Sequence, residues 1–74
     1  MATVAESSGV IAIGDAAGKV WKYLNRSGPV TMTKLAKDVD EPRDLIMQAV
    51  GWLAREDKIS IDEDARSKTI LLRD

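Results

Sequence analysis

Residues 31–61 decide the fold of this chain, and their sequence is TMTKLAKDVDEPRDLIMQAVGWLAREDKISI. The apolar positions in this stretch are Leu35, Ala36, Val39, Ile46, Ala49, Val50, Leu53, Ile59 and Ile61. Up to Leu53 they recur at the spacing of one side of a helix, and after Lys58 the period changes to that of a strand. The stretch therefore predicts a short helix, a turn at residues 39–41, a longer helix and a strand.

Local signals set the ends of these two helices. Thr31 is a favourable N-cap for a helix over Met32 to Asp38. Asp40 is a residue type that tolerates left-handed backbone in the turn that follows. Pro42 forces the residue before it into an extended conformation and suits a helix start, so the longer helix is predicted from Pro42 to about Asp57.

A further helix is predicted from about Val10 to Arg26. Its apolar stripe consists of Val10, Ile13, Ala17, Val20, Trp21 and Leu24, and we expect Trp21 to lie in the core. Asp15 is an alternative cap for a shorter helix that would leave residues 10–13 extended, but the continuous stripe favours the longer one. Ser27-Gly28-Pro29 ends the helix, and residues 1–9, which lack a periodic pattern, are expected to form a mobile tail.

The C-terminal part of the chain has the pattern of a hairpin. Thr69-Ile70-Leu71-Leu72 predicts a second strand after the one at Ile59, with a polar connection over residues 63–68. Val30 predicts a strand of one or two residues before the second helix. Residues 10–74 are thus expected to form one domain.

Three motifs resemble a known family. They are Gly18-Lys19-Val20-Trp21, Leu35-Ala36-Lys37, and Gly51-Trp52-Leu53-Ala54-Arg55-Glu56 with Lys58-Ile59. Together they are similar to a small stand-alone winged helix-turn-helix family of bacteria and archaea, long catalogued as a domain of unknown function. The resemblance covers nearly the whole chain after Gly9. It implies an α+β fold with three helices, a short first strand and a C-terminal two-stranded β-hairpin wing, and it implies DNA binding by analogy alone.

Two positions depart from the usual turn of this fold. Asp40 stands where a glycine is typical, and Glu41 stands where a small hydrophobic residue usually anchors the turn. We therefore expect a turn that is more exposed than average.

The composition argues against catalysis. The 74 residues include no cysteine and no histidine, which excludes disulfides, thiolate metal sites and the commonest general base. Asp62-Glu63-Asp64 does not have the spacing of a calcium loop, and residues 9–18 lack the lysine-serine ending of a phosphate loop. We expect no enzyme activity, no cofactor and no metal. No apolar run is long enough to span a membrane, and the N-terminus does not resemble a signal peptide, so a cytoplasmic location is expected.

If the chain binds DNA, the third helix would enter the major groove and the hairpin would contact the backbone or the minor groove. Arg43, Gln48 and Arg55 are the predicted base readers, since arginine suits guanine and glutamine suits adenine. The predicted phosphate contacts are Thr33, Lys34, Lys37, Arg66 and Lys68. The charge balance opposes this hypothesis. The net charge is -1, and residues 33–58 hold more acidic than basic side chains, with Asp44 on the presumed reading face.

Another set of residues predicts an interface with a protein. Leu45 and Trp52 form a second apolar strip on the flank of the third helix, with Met47 nearby, and tryptophan and methionine are favoured at interfaces. Gly14 and Gly18 cost the first helix about 1 kcal/mol each relative to alanine. They indicate close packing either on another element of the same fold or on a second chain, and Trp52 fits either the core or an interface.

Two functional hypotheses result. The first is a DNA-binding, transcription-associated module that forms a homodimer, the commonest symmetric assembly. The second is a protein-interaction or dimerisation module on the same fold that does not bind DNA.

Overall fold

The computed structural model describes the backbone of residues 2–73 and the side chains of residues 9–73. Three helices and three strands follow one another along the chain. They are α1 (Ala2–Ser27), β1 (Val30–Thr31), α2 (Met32–Asp38), α3 (Arg43–Arg55), β2 (Ile59–Glu63) and β3 (Lys68–Leu72). This order confirms the predicted α+β winged helix-turn-helix fold.

The three strands form one antiparallel sheet in the order β1-β3-β2. Ile70 of the central strand pairs with Val30 on one side and with Ile61 on the other, and its side chain is completely buried. The sheet therefore closes one end of the core, and the helices cover the rest. The buried core consists of Ala16, Ala17, Val20, Leu24, Val30, Leu35, Val39, Ile46, Ala49, Val50, Leu53, Ile59 and Ile70.

Most of the predicted helix ends are confirmed. The Thr31 hydroxyl accepts a hydrogen bond from the backbone N–H of Lys34 at 3.2 Å, which satisfies one free donor of the first turn of α2. Gly28 has a φ of 80°, the left-handed conformation that ends α1, and its N–H donates to the Leu24 carbonyl at 2.9 Å. Pro42 is the N-cap residue that precedes α3, so the helix begins at Arg43 rather than at the proline.

The start of α1 was predicted wrongly. The helix begins at Ala2, eight residues before Val10, and runs through Asp15, which therefore does not cap a shorter helix. The mobility of residues 1–9 stays a prediction, and Met1 lies outside the described residues. The left-handed residue was also misplaced: among residues 2–73 the only non-glycine residue with a positive φ is Asp57, not Asp40.

Three apolar residues are more exposed than their pattern predicted. Val10 is 52% exposed because it lies six residues, about 9 Å, before Ala16, where the buried part of α1 begins. Trp21 is 40% exposed rather than buried because it lies one helical step beyond Val20, at the edge of the core stripe. Ile61 is exposed as well, since it lies on an edge strand two residues beyond the buried Ile59.

Two glycine substitutions should change stability in opposite directions. Gly28→Ala should lower the free energy of unfolding by about 1–2 kcal/mol, because a side chain is strained in the left-handed conformation. Gly51→Ala should raise it by about 1 kcal/mol, because Gly51 is inside α3 and a Cβ there would meet no atom within 4 Å. Urea denaturation at one fixed protein concentration measures both. Equal effects of the two substitutions would contradict the left-handed end of α1.

Candidate nucleic-acid interface

The outward face of α3 is polar because its opposite side is committed to the core. Ile46, Ala49, Val50 and Leu53 are buried. One half-turn away lie Asp44, Gln48, Gly51 and Arg55, and all four are exposed. Gln48 and Arg55 therefore share one face, two turns apart. Arg43 is exposed at the first turn on the flank of this face, about 18 Å along the axis from Arg55.

The other predicted DNA contacts are also exposed, but they differ in their charge partners. Thr33, Lys34 and Lys37 lie on α2, Arg66 lies in the turn between β2 and β3, and Lys68 begins β3. Lys34 forms an ion pair with Asp38 at 3.0 Å, and Lys68 forms one with Glu63 at 3.5 Å. Within residues 9–73, none of Lys37, Arg43, Arg55 and Arg66 has an ion-pair partner.

Acidic side chains near the turn are held by partners elsewhere in the chain. The Tyr23 hydroxyl of α1 donates to the Asp38 carboxylate at 2.6 Å, and Lys19 of α1 donates to Glu41 in the turn. Hydrogen bonds from Tyr23 and from Lys34 lower the pKa of the Asp38 carboxyl below its usual value of 3.8. Residues 33–58 contain six acidic side chains. Two of them, Asp38 and Glu41, therefore face α1 or α2 rather than the outward face of α3.

Asp44 keeps a negative charge on the outward face, but it has a structural role there. It lies in the first turn of α3, and its carboxylate accepts a hydrogen bond from the N–H of Leu45 at 2.9 Å. A negative charge at this end of a helix interacts favourably with the helix dipole. The Asp44 carboxylate thus interacts with the backbone of the first turn of its own helix.

The acidic run in the wing has a structural explanation as well. The Asp64 carboxylate accepts hydrogen bonds from the N–H groups of Arg66 and Ser67, both at 2.9 Å, and these bonds lower the pKa of Asp64. Asp64 therefore shapes the turn of the hairpin and leaves the Arg66 side chain at its tip. In the part of the chain whose side chains are described, no three carboxylates gather into a metal-binding group.

Four of the five residues predicted for an interface line a common depression. Two adjoining open cavities, of about 510 and 300 Å³, share Gly14, Gly18 and Lys22. Leu45 lines the first cavity and Trp52 lines the second, beside Trp21. We call this depression the α1–α3 trough. Met47 is not part of it, because it lies on the opposite flank of α3 near Arg43.

Trp21 belongs to this surface, although it was expected in the core. Trp21 lies at the edge of the apolar stripe of α1, and a residue there can face either the core or the surface. The only signal in the sequence was its angular offset from Ala17 and Leu24, and the contact with Trp52 required the fold. The two tryptophans of the chain thus lie on one exposed surface, where Trp52 is 41% exposed.

Comparison with known proteins is consistent with this geometry. Residues 6–72 match the family described as Winged helix-turn-helix domain (DUF2582). The chain belongs to this family. The uncharacterized protein MJ1608 of Methanocaldococcus jannaschii is 33% identical over 64 residues, which cover 82% of this chain and 90% of that protein.

Two solved structures are similar to this winged helix-turn-helix domain. The solution structure of BT2368 from Bacteroides thetaiotaomicron is 36% identical, with a TM-score of 0.74 over 82% of this chain and 74% of that one. The crystal structure of RHA00566, an ArsR family transcriptional regulator, is 24% identical, with a TM-score of 0.63 over 90% of this chain and 73% of that one. The second likeness is one of fold. No described helix is both long and apolar enough to cross a bilayer.

Removing the Tyr23 hydroxyl should change the titration of Asp38. In Tyr23→Phe the pKa of the Asp38 carboxyl should rise towards 3.8, because its first hydrogen-bond donor is lost. A lowered carboxyl pKa stabilises the fold above the unfolded-state pKa and is lost as the pH falls through the folded-state pKa. The variant should therefore be less stable than the parent at neutral pH, and the difference should disappear in acid.

Carboxyl-carbon NMR of Asp38 measures this pKa directly, and chemical denaturation at several pH values measures the stability. Thr33→Val is a control, since it removes an exposed hydroxyl of α2 that takes no part in the hydrogen bonds to Asp38. An unchanged Asp38 pKa in Tyr23→Phe would contradict the hydrogen bond.

Proposed function

We propose that this chain is a DNA-binding, transcription-associated module that acts as a homodimer and has no enzymatic activity. The observation that carries the proposal is the exposed arginine and glutamine set on and beside the outward face of α3. Arg43, Gln48 and Arg55 combine the donors that read guanine and adenine in the major groove. The similarity to an ArsR family transcriptional regulator agrees with this class of function through the shared fold alone.

The distribution of ion pairs supports the proposal more than the net charge does. Glu41 and Asp38 are engaged by Lys19 and Tyr23 of α1, and Asp57 is paired with Arg73 at 3.0 Å. The basic side chains that we propose as DNA contacts form fewer ion pairs. Lys37, Arg43, Arg55 and Arg66 have no partner among the described side chains, so they are available to phosphate or base edges.

The exposed cations also have positions that suit their assigned roles. Arg43 and Gln48 lie in the first half of α3, the part of a recognition helix that contacts base edges. Lys37 on α2 and Arg66 at the tip of the wing flank α3 in the chain, as phosphate contacts do in this fold. Lys34 and Lys68 must exchange weak, exposed ion pairs for phosphate contacts, which costs little in water.

A module for protein interaction is the second candidate. The exposed Trp21 and Trp52 favour it, because monomeric proteins rarely leave adjacent tryptophans uncovered. The two functions need not compete. Trp52 points to the flank of α3 that faces α1, whereas Gln48 and Arg55 point outward.

Binding to mixed double-stranded DNA should therefore be salt-dependent and should weaken in Arg43→Ala. Loss of a bidentate guanine contact costs about 1–3 kcal/mol, and loss of a phosphate contact lowers the salt slope by about one. Fluorescence anisotropy at several salt concentrations measures both quantities. Gln48→Ala should relax sequence preference while leaving the salt slope unchanged, because glutamine carries no charge.

Arg26→Ala is the matched control, because this substitution removes the same charge from an exposed residue in the last turn of α1. If Arg43→Ala and Arg26→Ala weaken binding equally, α3 does not read DNA. If the folded, dimeric chain does not bind DNA at low salt, the DNA-binding proposal is overturned. The second candidate, a module for protein interaction, then remains.

A further inference from the structure

The outer side of α1 carries a second apolar stripe, separate from the one that enters the core. Its members are Val10, Ile11, Gly14, Gly18 and Trp21, and we call it the outer stripe. Their spacing places them on one side of the helix, next to the α1–α3 trough. Ile11 is 61% exposed, and every other member is exposed too. A helix with apolar residues on two sides is suited to contact something on each side.

The glycines of the outer stripe are not required by the fold of the single chain. A Cβ built on Gly14 or on Gly18 would meet no atom within 4 Å apart from its neighbours in the helix. The close packing that two glycines four residues apart permit is therefore not used inside the chain. Small residues allow a second helix to approach to the short end of the usual interaxial distances.

The shape of the chain leaves part of α1 outside the core. The extents are 43 × 24 × 23 Å, and the 26 residues of α1 account for about 39 Å of the long axis. Among the side chains that the structure describes, burial on α1 begins at Ala16. Val10 and Ile11 therefore project beyond the core, where a second chain can reach them.

We propose that a second copy of this chain covers the outer stripe, with the two α1 helices packed antiparallel. A two-fold interface uses the same patch on both chains, so the outer stripe serves both partners. This inference rests on the homodimer of the proposed function and names the surface that forms it. It does not depend on DNA binding.

The antiparallel arrangement follows from the shape and charge of the stripe. The projecting half of α1 carries Val10 and Ile11, and the trough beside Trp21 and Trp52 lies farther along. Antiparallel helices with Gly14 opposite Gly18 bring Ile11 opposite Trp21, so that each projecting half covers the trough of its partner. Parallel helices would instead bring Ile11 opposite Ile11 and Trp21 opposite Trp21.

Charges along the edge of the stripe favour the same arrangement. Asp15 precedes Lys19 and Lys22 on one side of α1. An antiparallel pair brings the acidic end of this edge towards the basic end of the partner's edge. The helix dipoles also oppose a parallel pair.

The test measures the mass of the full chain by sedimentation velocity over a range of concentrations. The parent should be a dimer, and Ile11→Glu and Gly18→Leu should each raise the dissociation constant by about tenfold or more. A carboxylate is costly to bury against the partner's two tryptophans, and a leucine keeps the helices apart. Arg26→Leu is the control: it adds the same side chain to α1 outside the outer stripe and should remain a dimer.

Tryptophan emission provides a second readout that needs no substitution. Both tryptophans of the chain border the outer stripe or the trough, so emission should shift to the red when the parent is diluted. Gly18→Leu should show the red-shifted emission at every concentration, with its helix content unchanged by circular dichroism. If Gly18→Leu loses helix content, the variant has failed to fold. The shift of the parent's tryptophan emission on dilution then decides whether the interface exists.

The orientation is tested by cross-linking, because the chain has no cysteine of its own. A mixture of Gly14→Cys and Gly18→Cys chains should form a disulfide faster than either variant alone, since the two positions face each other across the pair. Faster cross-linking of each variant with itself would overturn the antiparallel arrangement.

A parent chain that stays monomeric at the highest concentration at which it remains in solution would overturn the interface. Dimerisation unaffected by both Ile11→Glu and Gly18→Leu would overturn it as well. Neither result bears on DNA contacts. Loss of DNA binding in Arg43→Ala with an unchanged dimer mass, and loss of dimer mass in Gly18→Leu, separate the two proposals.

Discussion

Burial of the apolar side of α3 against α1 is the constraint on which the rest of the structure depends. Ile46 and Ala49 of α3 and Ala16 and Val20 of α1 are completely buried. With so small a core, neither helix can rotate without exposing part of it. The rotation of α3 in turn fixes what the molecule presents outward, namely a polar face at Gln48 and Arg55 and an apolar flank at Trp52.

The turn before α3 is fixed by polar contacts where related folds use packing. Glu41 replaces a hydrophobic anchor, and its ion pair with Lys19 ties the turn to α1 instead. Tyr23 ties the end of α2 to the same helix through Asp38. These contacts are exposed and contribute little stability each, but they orient carboxylates towards α1. Arg43 and Arg55 of α3, which have no ion-pair partner within residues 9–73, thus stay exposed in a chain whose net charge is -1.

The sequence was sufficient for the parts of the fold that depend on local chemistry. Thr31, Gly28 and the change of period after Lys58 each act within a few residues, and the predicted ends of α2 and of the strands at Val30 and Ile59 follow from them. What depends on contacts far apart in the chain was not accessible. The exposure of Trp21, the partners of Asp38 and Glu41, and the trough at Gly14 and Gly18 require α1 and α3 to be placed side by side. Residue types predicted the candidate DNA contacts, but only the fold shows which of them form ion pairs with other described side chains.

The two proposed surfaces are compatible in one assembly. The trough is lined by Trp52, on the flank of α3 that faces α1. Gln48 and Arg55 lie on the outward face of α3, away from that flank. A second copy that covers the outer stripe and the trough therefore leaves the outward faces of both α3 helices exposed. A two-fold axis relates these two faces, as it relates the two half-sites of a palindromic DNA site.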